Sequence, residues 1–226
     1  MQQSGHRIRR AAAHGRVLDG GAAIPDWSGG PALVAASGPS APAILEALRA
    51  RMRVLVVNRT FEAAPWADAL YAADCGFWAH YAGARAFKGL KLAPDKQCQR
   101  YCPDIQLVTI AWEGGKRVNH FVHDPRGLIG GGQHSGFQAL NIALQTGAHP
   151  VYLAGYDYQP KHWHDDHPQS LRNPDQMQLA RWRGFLEAEA QNMAGRVFNL
   201  SRESTLHGYE AAECSTLLEK HAALSA

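Results

Sequence analysis

PALVAASGPSAPAILEALRARMRVLVVN, residues 31–58, holds two apolar runs on either side of a segment with helical periodicity. Pro31–Ala36 is short, continuous and apolar, as a buried strand is. Ser37-Gly38-Pro39-Ser40 is a turn. From 41 to 51 the apolar residues recur at helical spacing, and Arg49 and Arg51 suit the negative end of a helix dipole. Arg53–Val57 is a second strand, stopped by Asn58. Two strands joined through a helix pair in parallel, with a right-handed crossover.

The same rhythm extends outward. Past Pro65 and Trp66, Ala69–Ala73 reads as a third strand ended by Asp74, with a helix over 76–83. Ile105–Ile110 and Arg117–His123 read as strands around the Glu113-Gly114-Gly115 turn. The run Gly130-Gly131-Gly132 precedes a helix from Ser135 to Thr146, with Ser135 in the capping place and Gly147 where a left-handed C-cap falls. Val151–Ala154 is a strand, 156–174 a polar His-rich loop, 175–194 a helix capped by Asn173 or Asp175, and 196–200 a strand before a last helix. Alternating strands and helices predict an α/β protein: one Rossmann-like domain over 31–226, a mostly parallel sheet flanked by helices. Residues 1–30, rich in Gly, Ala and Arg, read as a poorly structured leader.

Bulk properties narrow the function classes. The 226 residues suffice for one full core, and 46% apolar with 19% charged residues is a globular balance. A net charge of +3 without a basic stripe does not indicate nucleic-acid binding. No apolar run approaches the ~20 residues that span a bilayer, and the basic start at Arg7, Arg9 and Arg10 lacks the apolar segment of a signal peptide. Cys75, Cys98, Cys102 and Cys214 are irregularly spaced and read as reduced thiols of a cytoplasmic protein.

Ligands of parallel α/β sheets sit beyond the carboxyl ends of the strands, so the polar residues there are the site candidates. Ser37, Gly38, Pro39 and Ser40 open a helix, where backbone amides favour phosphate; an ordinary turn is the plainer reading. Asn58 and Asp74 stand where a base, ribose or metal is met, and both are also common turn residues. The glycine run with His134, Ser135 and Gly136 reads as a ligand loop or as a plain helix start. Tyr156-Asp157-Tyr158 and the cluster His162, His164, Asp165, Asp166 and His167 offer two chemistries. His162, Asp165 and Asp166 suit a divalent metal, and a loop histidine suits a general base. A solvated polar loop is the third reading. Trp66, Trp78 and Trp112 read as packing residues, and Trp182 with Phe185 as the face that seats the long helix on the sheet. No G-x-x-x-x-G-K-[ST] loop occurs.

Taken in order, SGPS before a helix, Val56-Val57-Asn58, the segment Gln133–Asp157 (QHSGFQALNIALQTGAHPVYLAGYD) and HWHDDHP at 162–168 resemble the bacterial sialyltransferases that build lipooligosaccharide. They also resemble the pterin diphosphokinase-like family and proteins encoded by phages, over roughly residues 31–205. The first resemblance implies a nucleotide-sugar donor, with Gly38, Pro39 and Ser40 by the phosphate. Asn58 would meet the nucleotide, and Ser135 and Gly136 would line the same pocket. Tyr158 would lie near the leaving phosphate without a metal, and His167 would be the general base, with His164 beside it. Ser37, His134 and Asp166 depart from that family's usual Asn, Thr or Asn, and Gly. The second resemblance implies a metal-dependent diphosphokinase, in which Mg²⁺ or Mn²⁺ is held by carboxylates such as Asp74 and Asp157. The third implies a non-catalytic phage accessory protein. The sequence leaves open the acceptor and the oligomeric state, monomer or homo-oligomer.

Overall fold

The computed structural model describes residues 24–124, 127–165, 171 and 173–224. Among the described residues, twelve strands and five α-helices follow one another. The strands are β1 (Ala32–Ala35), β2 (Arg53–Val57), β3 (Ala69–Tyr71), β4 (Leu90–Ala93), β5 (Gln106–Leu107), β6 (Thr109–Ile110), β7 (Trp112–Glu113), β8 (Lys116–Arg117), β9 (Leu128–Ile129), β10 (Val151–Ala154), β11 (Val197–Asn199) and β12 (Glu210–Ala211). The helices are α1 (Ala41–Ala47), α2 (Cys75–His80), α3 (Ser135–Gln145), α4 (Gln176–Glu187) and α5 (Cys214–Leu224).

Eight strands form one sheet in the order β12-β11-β10-β1-β2-β3-β4-β5. Every neighbouring pair in it is parallel. The sheet starts at β1, builds outward to β5, then continues from β10 on the other side of β1. The strand order therefore reverses between β1 and β10, which opens a crevice beyond their carboxyl ends.

Alternation along each strand makes two cores. Leu33, Ala35, Val54, Val56 and Leu70 face α1, α2 and the start of α5. Ala32, Val34, Leu55, Val57 and Leu153 face α3 and α4. A sheet covered on both faces must be apolar on both, which is why its strands are continuous apolar runs.

α3 is buried from Gly136 to Leu144, polar residues included. Asn141 explains the burial: its Oδ1 accepts from the N–H of Val122 at 3.1 Å and of Gly130 at 2.6 Å, and its Nδ2 donates to the Val122 carbonyl at 2.8 Å. Gln145 adds bonds to the carbonyls of Val122 and Leu128. This corrects the strand expected over 117–123. Among the described residues only Lys116–Arg117 pair there as a strand, with Trp112–Glu113; Val118 still bonds to the backbone of Ala111 and Gly131, and Val122 is held by the α3 side chains Asn141 and Gln145.

Other boundaries shift for local reasons. α4 stops at Glu187 and a 3-10 turn, Ala190–Met193, completes the expected long helix. Asp175, not Asn173, caps it, in a reciprocal capping box with Gln178. His134, not Ser135, caps α3, while Gly147 at φ +79° takes the left-handed place after it. β4 was not legible because Lys91 interrupts its apolar pattern; the ammonium is buried and bonded to the Gly83 carbonyl at 3.1 Å. Cys75 and Cys98 form a disulfide with Cα atoms 4.6 Å apart, which corrects their reading as thiols; the fold brings α2 against the turn at 96–100. Of the expected leader, residues 1–23 lie outside the described residues. Trp27 is buried, with its N–H bonded to the Thr146 carbonyl at 2.7 Å.

Candidate functional site

A cleft of about 860 Å³ opens at the carboxyl ends of the central strands. Ser37 and Gly38 after β1, Asn58 after β2, Asp74 after β3, His134, Ser135 and Gly136 at the start of α3, and Tyr158 and His162 after β10 all line it. These are sequence candidates, brought together by the reversal of strand order.

Close backbone contact shapes the floor. A Cβ on Gly38 would collide with the Asp157 carboxylate and the Gly155 carbonyl, so the loops after β1 and β10 meet without room for a side chain. The Gly38 N–H donates to the Gly155 carbonyl at 3.0 Å. The glycine run at 130–132 is used differently. A Cβ on Gly130 would meet the His120 carbonyl, and one on Gly132 the Phe137 ring, so these glycines serve packing below the cleft.

Pro39, Ser40 and Asp157 turn away from the cleft and line a second cavity of about 480 Å³ between α1 and α5. Asp157 accepts from the Ser40 backbone N–H at 3.2 Å and from its hydroxyl at 3.0 Å. The Gly155 N–H donates to both Ser40 Oγ and Ser201 Oγ, at 3.1 and 3.0 Å. Burial pushes the Asp157 carboxyl up from its ordinary value, against the pull of the Ser40 hydrogen bonds. This network clamps the two loops at the switch point.

The start of α3 faces the cleft with its positive end. The N–H groups of Ser135 and Gly136 precede the first intrahelical bond, the usual arrangement for an anion. Ser135 Oγ accepts from the Ala73 N–H at 3.3 Å, which ties the end of β3 to the helix. The Gly136 carbonyl accepts from the Tyr156 hydroxyl at 2.8 Å. His134 Nδ1 accepts from the Phe137 N–H at 3.3 Å, its Nε2 lies 3.3 Å from the Tyr158 hydroxyl oxygen, and its ring stacks on Trp182 with centroids 5.3 Å apart. Burial brings the His134 imidazole down to about 3, against a smaller pull from a hydrogen bond to the Trp182 backbone, and holds the Tyr158 phenol well above its ordinary value.

Backbone strain gathers at the same place. Asn58, Gln133 and Tyr158 take φ of +50°, +62° and +52°, and all three line the cleft. Non-glycine residues held there cost of order 1–3 kcal/mol each and cluster at functional sites.

The described part of the His-rich loop leans on the first turn. The Trp163 N–H donates to the Ser37 carbonyl at 3.1 Å. His162 and His164 stack with centroids 5.0 Å apart, and His164 Nδ1 lies 2.5 Å from the Asp165 carbonyl. Burial lowers the His164 imidazole from its ordinary value, against a hydrogen bond to the Asp165 backbone. His167 and Asp166 lie outside the described residues. Among the described residues, no three His, Cys, Asp or Glu side chains come together as metal ligands.

Part of the wall comes from residues that carry no site signal in the sequence. Trp112 and Arg117, on the β7–β8 hairpin, line the cleft and form a cation–π pair 5.8 Å apart; Trp112 is exposed, not the packing residue expected. Trp182 lines the cleft too, while Phe185 packs toward the sheet as expected. Asp95 and Lys96 follow β4, the strand that Lys91 disguised; the Pro94-Asp95 turn was its one available signal.

The reversal of strand order and the cleft above it define a Rossmann-like α/β domain. Among solved structures, this chain is similar in fold to the sialyltransferase CstII of Campylobacter jejuni in complex with a substrate analogue, CMP-3FNeuAc. That match has 14% identity and a TM-score of 0.51, over 80% of this chain and 85% of the other. The same enzyme with trisaccharide acceptor and CMP aligns at 15% identity and a TM-score of 0.50 over the same shares. The MAf glycosyltransferase of Magnetospirillum magneticum AMB-1 aligns at 12% identity and a TM-score of 0.61, over 89% of this chain and 38% of that longer one. No protein-family model and no curated protein matches the sequence.

Proposed function

We propose that the chain is a glycosyltransferase that takes its sugar from a nucleotide-activated donor, with CMP as the leaving nucleotide. The observation that carries this reading is the cleft at the switch point, where the positive end of α3 and a neutral phenol, Tyr158, face one space. Ser135 and Gly136 suit a phosphate, and Gly38 brings a second loop close to it. Asn58 suits the nucleotide sugar. The CMP and CMP-sugar complexes of the similar folds support the choice of nucleotide.

In the proposed reaction, an acceptor hydroxyl oxygen bonds to the anomeric carbon. The bond from that carbon to the phosphate oxygen breaks, and CMP departs with the electron pair. Tyr158 donates a hydrogen bond to the departing oxygen, where negative charge develops. His167 takes the acceptor's proton, in the role that the resemblance to the sialyltransferases implies.

A thermal-shift screen of the purified chain against CMP, UDP, GDP and ATP, with and without Mg²⁺ or Mn²⁺, tests the reading. A ligand at a hundredfold excess over its dissociation constant adds about 2.7 kcal/mol of apparent stability. Stabilisation by CMP without metal is the expected result. Stabilisation by ATP only with metal would replace this reading by the diphosphokinase one, and no response to any nucleotide would favour a binding protein. His167→Ala is expected to keep CMP stabilisation and lose turnover.

A further inference from the structure

The two nitrogens of His134 join a helix terminus to a phenol, and their roles follow from elementary bookkeeping. Nδ1 lies 3.3 Å from the Phe137 backbone N–H. A backbone N–H can only donate, so Nδ1 presents its lone pair. A neutral imidazole carries one N–H, which must then sit on Nε2. Burial in the ring stack with Trp182 keeps the imidazole neutral across the physiological range. Nε2 lies 3.3 Å from the Tyr158 oxygen, and the ring's one hydrogen, there, is shared between that oxygen and the Trp182 backbone. The opposite direction, Tyr158 donating to Nε2, would place the imidazole hydrogen on Nδ1, against the Phe137 N–H: two donors facing each other. The hydroxyl hydrogen of Tyr158 is therefore turned away from His134. Tyr158 lines the cleft, and its backbone is held at φ +52°.

We propose that His134 is a positioning residue that uses the N-terminus of α3 to set its own tautomer and so aims the Tyr158 hydroxyl hydrogen into the cleft. The inference deepens the reading above and rests on it for the acceptor of that hydrogen, the phosphate oxygen that leaves with the nucleotide. A phenol that already accepts one hydrogen bond is a better donor of the next, because chained hydrogen bonds polarise one another. An orientation fixed before the ligand arrives also spares the cost of turning a hydroxyl during the reaction. One half-buried side chain thus couples the helix cap to the chemistry.

Two measurements test this. In protein carrying ¹⁵N-histidine at pH 7, long-range nitrogen–proton correlations distinguish the tautomers, and His134→Asn identifies the resonance. The Nε2–H form is expected; the Nδ1–H form would overturn the proposal. Asn is also a good N-cap but is too short to reach Tyr158, so His134→Asn separates capping from aiming. CMP affinity is then titrated in the wild type, His134→Asn, Tyr158→Phe and the double variant. Each single change is expected to weaken binding roughly tenfold, a loss of ~1.4 kcal/mol, and the double variant no more than Tyr158→Phe alone. Fully additive losses, or an unchanged affinity in His134→Asn, would overturn the role. A wild type that ignores CMP would defeat the donor assignment, while the tautomer spectrum would still decide whether His134 aims the phenol.

Discussion

Gly38 and Gly184 show how one substitution changes sign with its surroundings. At Gly38 an added Cβ meets the Gly155 carbonyl at 2.5 Å and, closer still, the Asp157 carboxylate. Neither is the free end of a flexible chain, since Asp157 is buried and held by Ser40. Gly184 lies exposed within α4, with nothing within 4 Å of the added carbon. Gly38→Ala is therefore expected to lose about 1–3 kcal/mol, as overpacking does. Gly184→Ala is expected to gain up to about 1 kcal/mol from helix propensity. Urea unfolding of both variants checks the pair. A Gly38→Ala protein as stable as the wild type would mean that the two loops leave room for a Cβ at Gly38.

Among the elements, α3 does the most to shape the site, and it does so with polar residues on a buried face. Asn141 answers two backbone N–H groups and one carbonyl that lie off any strand ladder. Replacing it by Leu keeps the volume and orphans both N–H groups, while the Val122 carbonyl keeps its bond from Gln145, at about 1–3 kcal/mol for each buried group left unpaired. Asn141→Leu is expected to lose at least about 2 kcal/mol and to raise hydrogen exchange selectively over the backbone flanking Val122 and Gly130. Exchange that stays at the wild-type level there would show that the segment is held by other means. This element also marks the limit of sequence reading. The helix itself was legible from its periodicity and from Gly147, and β1, β2 and β10 from their apolar runs. The segment that α3 supports was misread as a strand, because a side-chain amide that imitates a strand partner leaves no periodic trace in the supported chain. The cap was misplaced by one residue for a related reason: serine is the commoner cap, and only the geometry shows that His134 fills the role.

Across the whole molecule, the parallel sheet and its switch point followed from the β-α-β rhythm alone, and so did most of the cleft, because ligand-facing residues come directly after strands. The turn of the β7–β8 hairpin was legible at Glu113-Gly114-Gly115, but neither its place on the cleft wall nor that of the turn after β4 was, since each depends on contacts between distant segments. The disulfide is the extreme case, for spacing cannot tell which cysteines meet. Cys75 directly follows Asp74, and Cys98 lies just past Asp95 and Lys96, so the bond ties together two stretches of the cleft wall that β3 and β4 bring side by side. Cys98 is completely buried. A cross-link spanning 23 residues restricts the unfolded chain and is worth about 3 kcal/mol on the chain-entropy account. The Cys75→Ala/Cys98→Ala variant is therefore expected to unfold about 3 kcal/mol more easily than the oxidised wild type. Wild type held in excess dithiothreitol should fall by a similar amount, because both treatments remove the same restriction. Cys102 is a buried free thiol close by in sequence, so Cys102→Ala serves as the control, with a small loss that does not depend on reductant. A wild type whose urea midpoint is indifferent to reductant would mean that the bond adds nothing to stability, and the two walls would then owe their arrangement to the pairing of β3 with β4 alone.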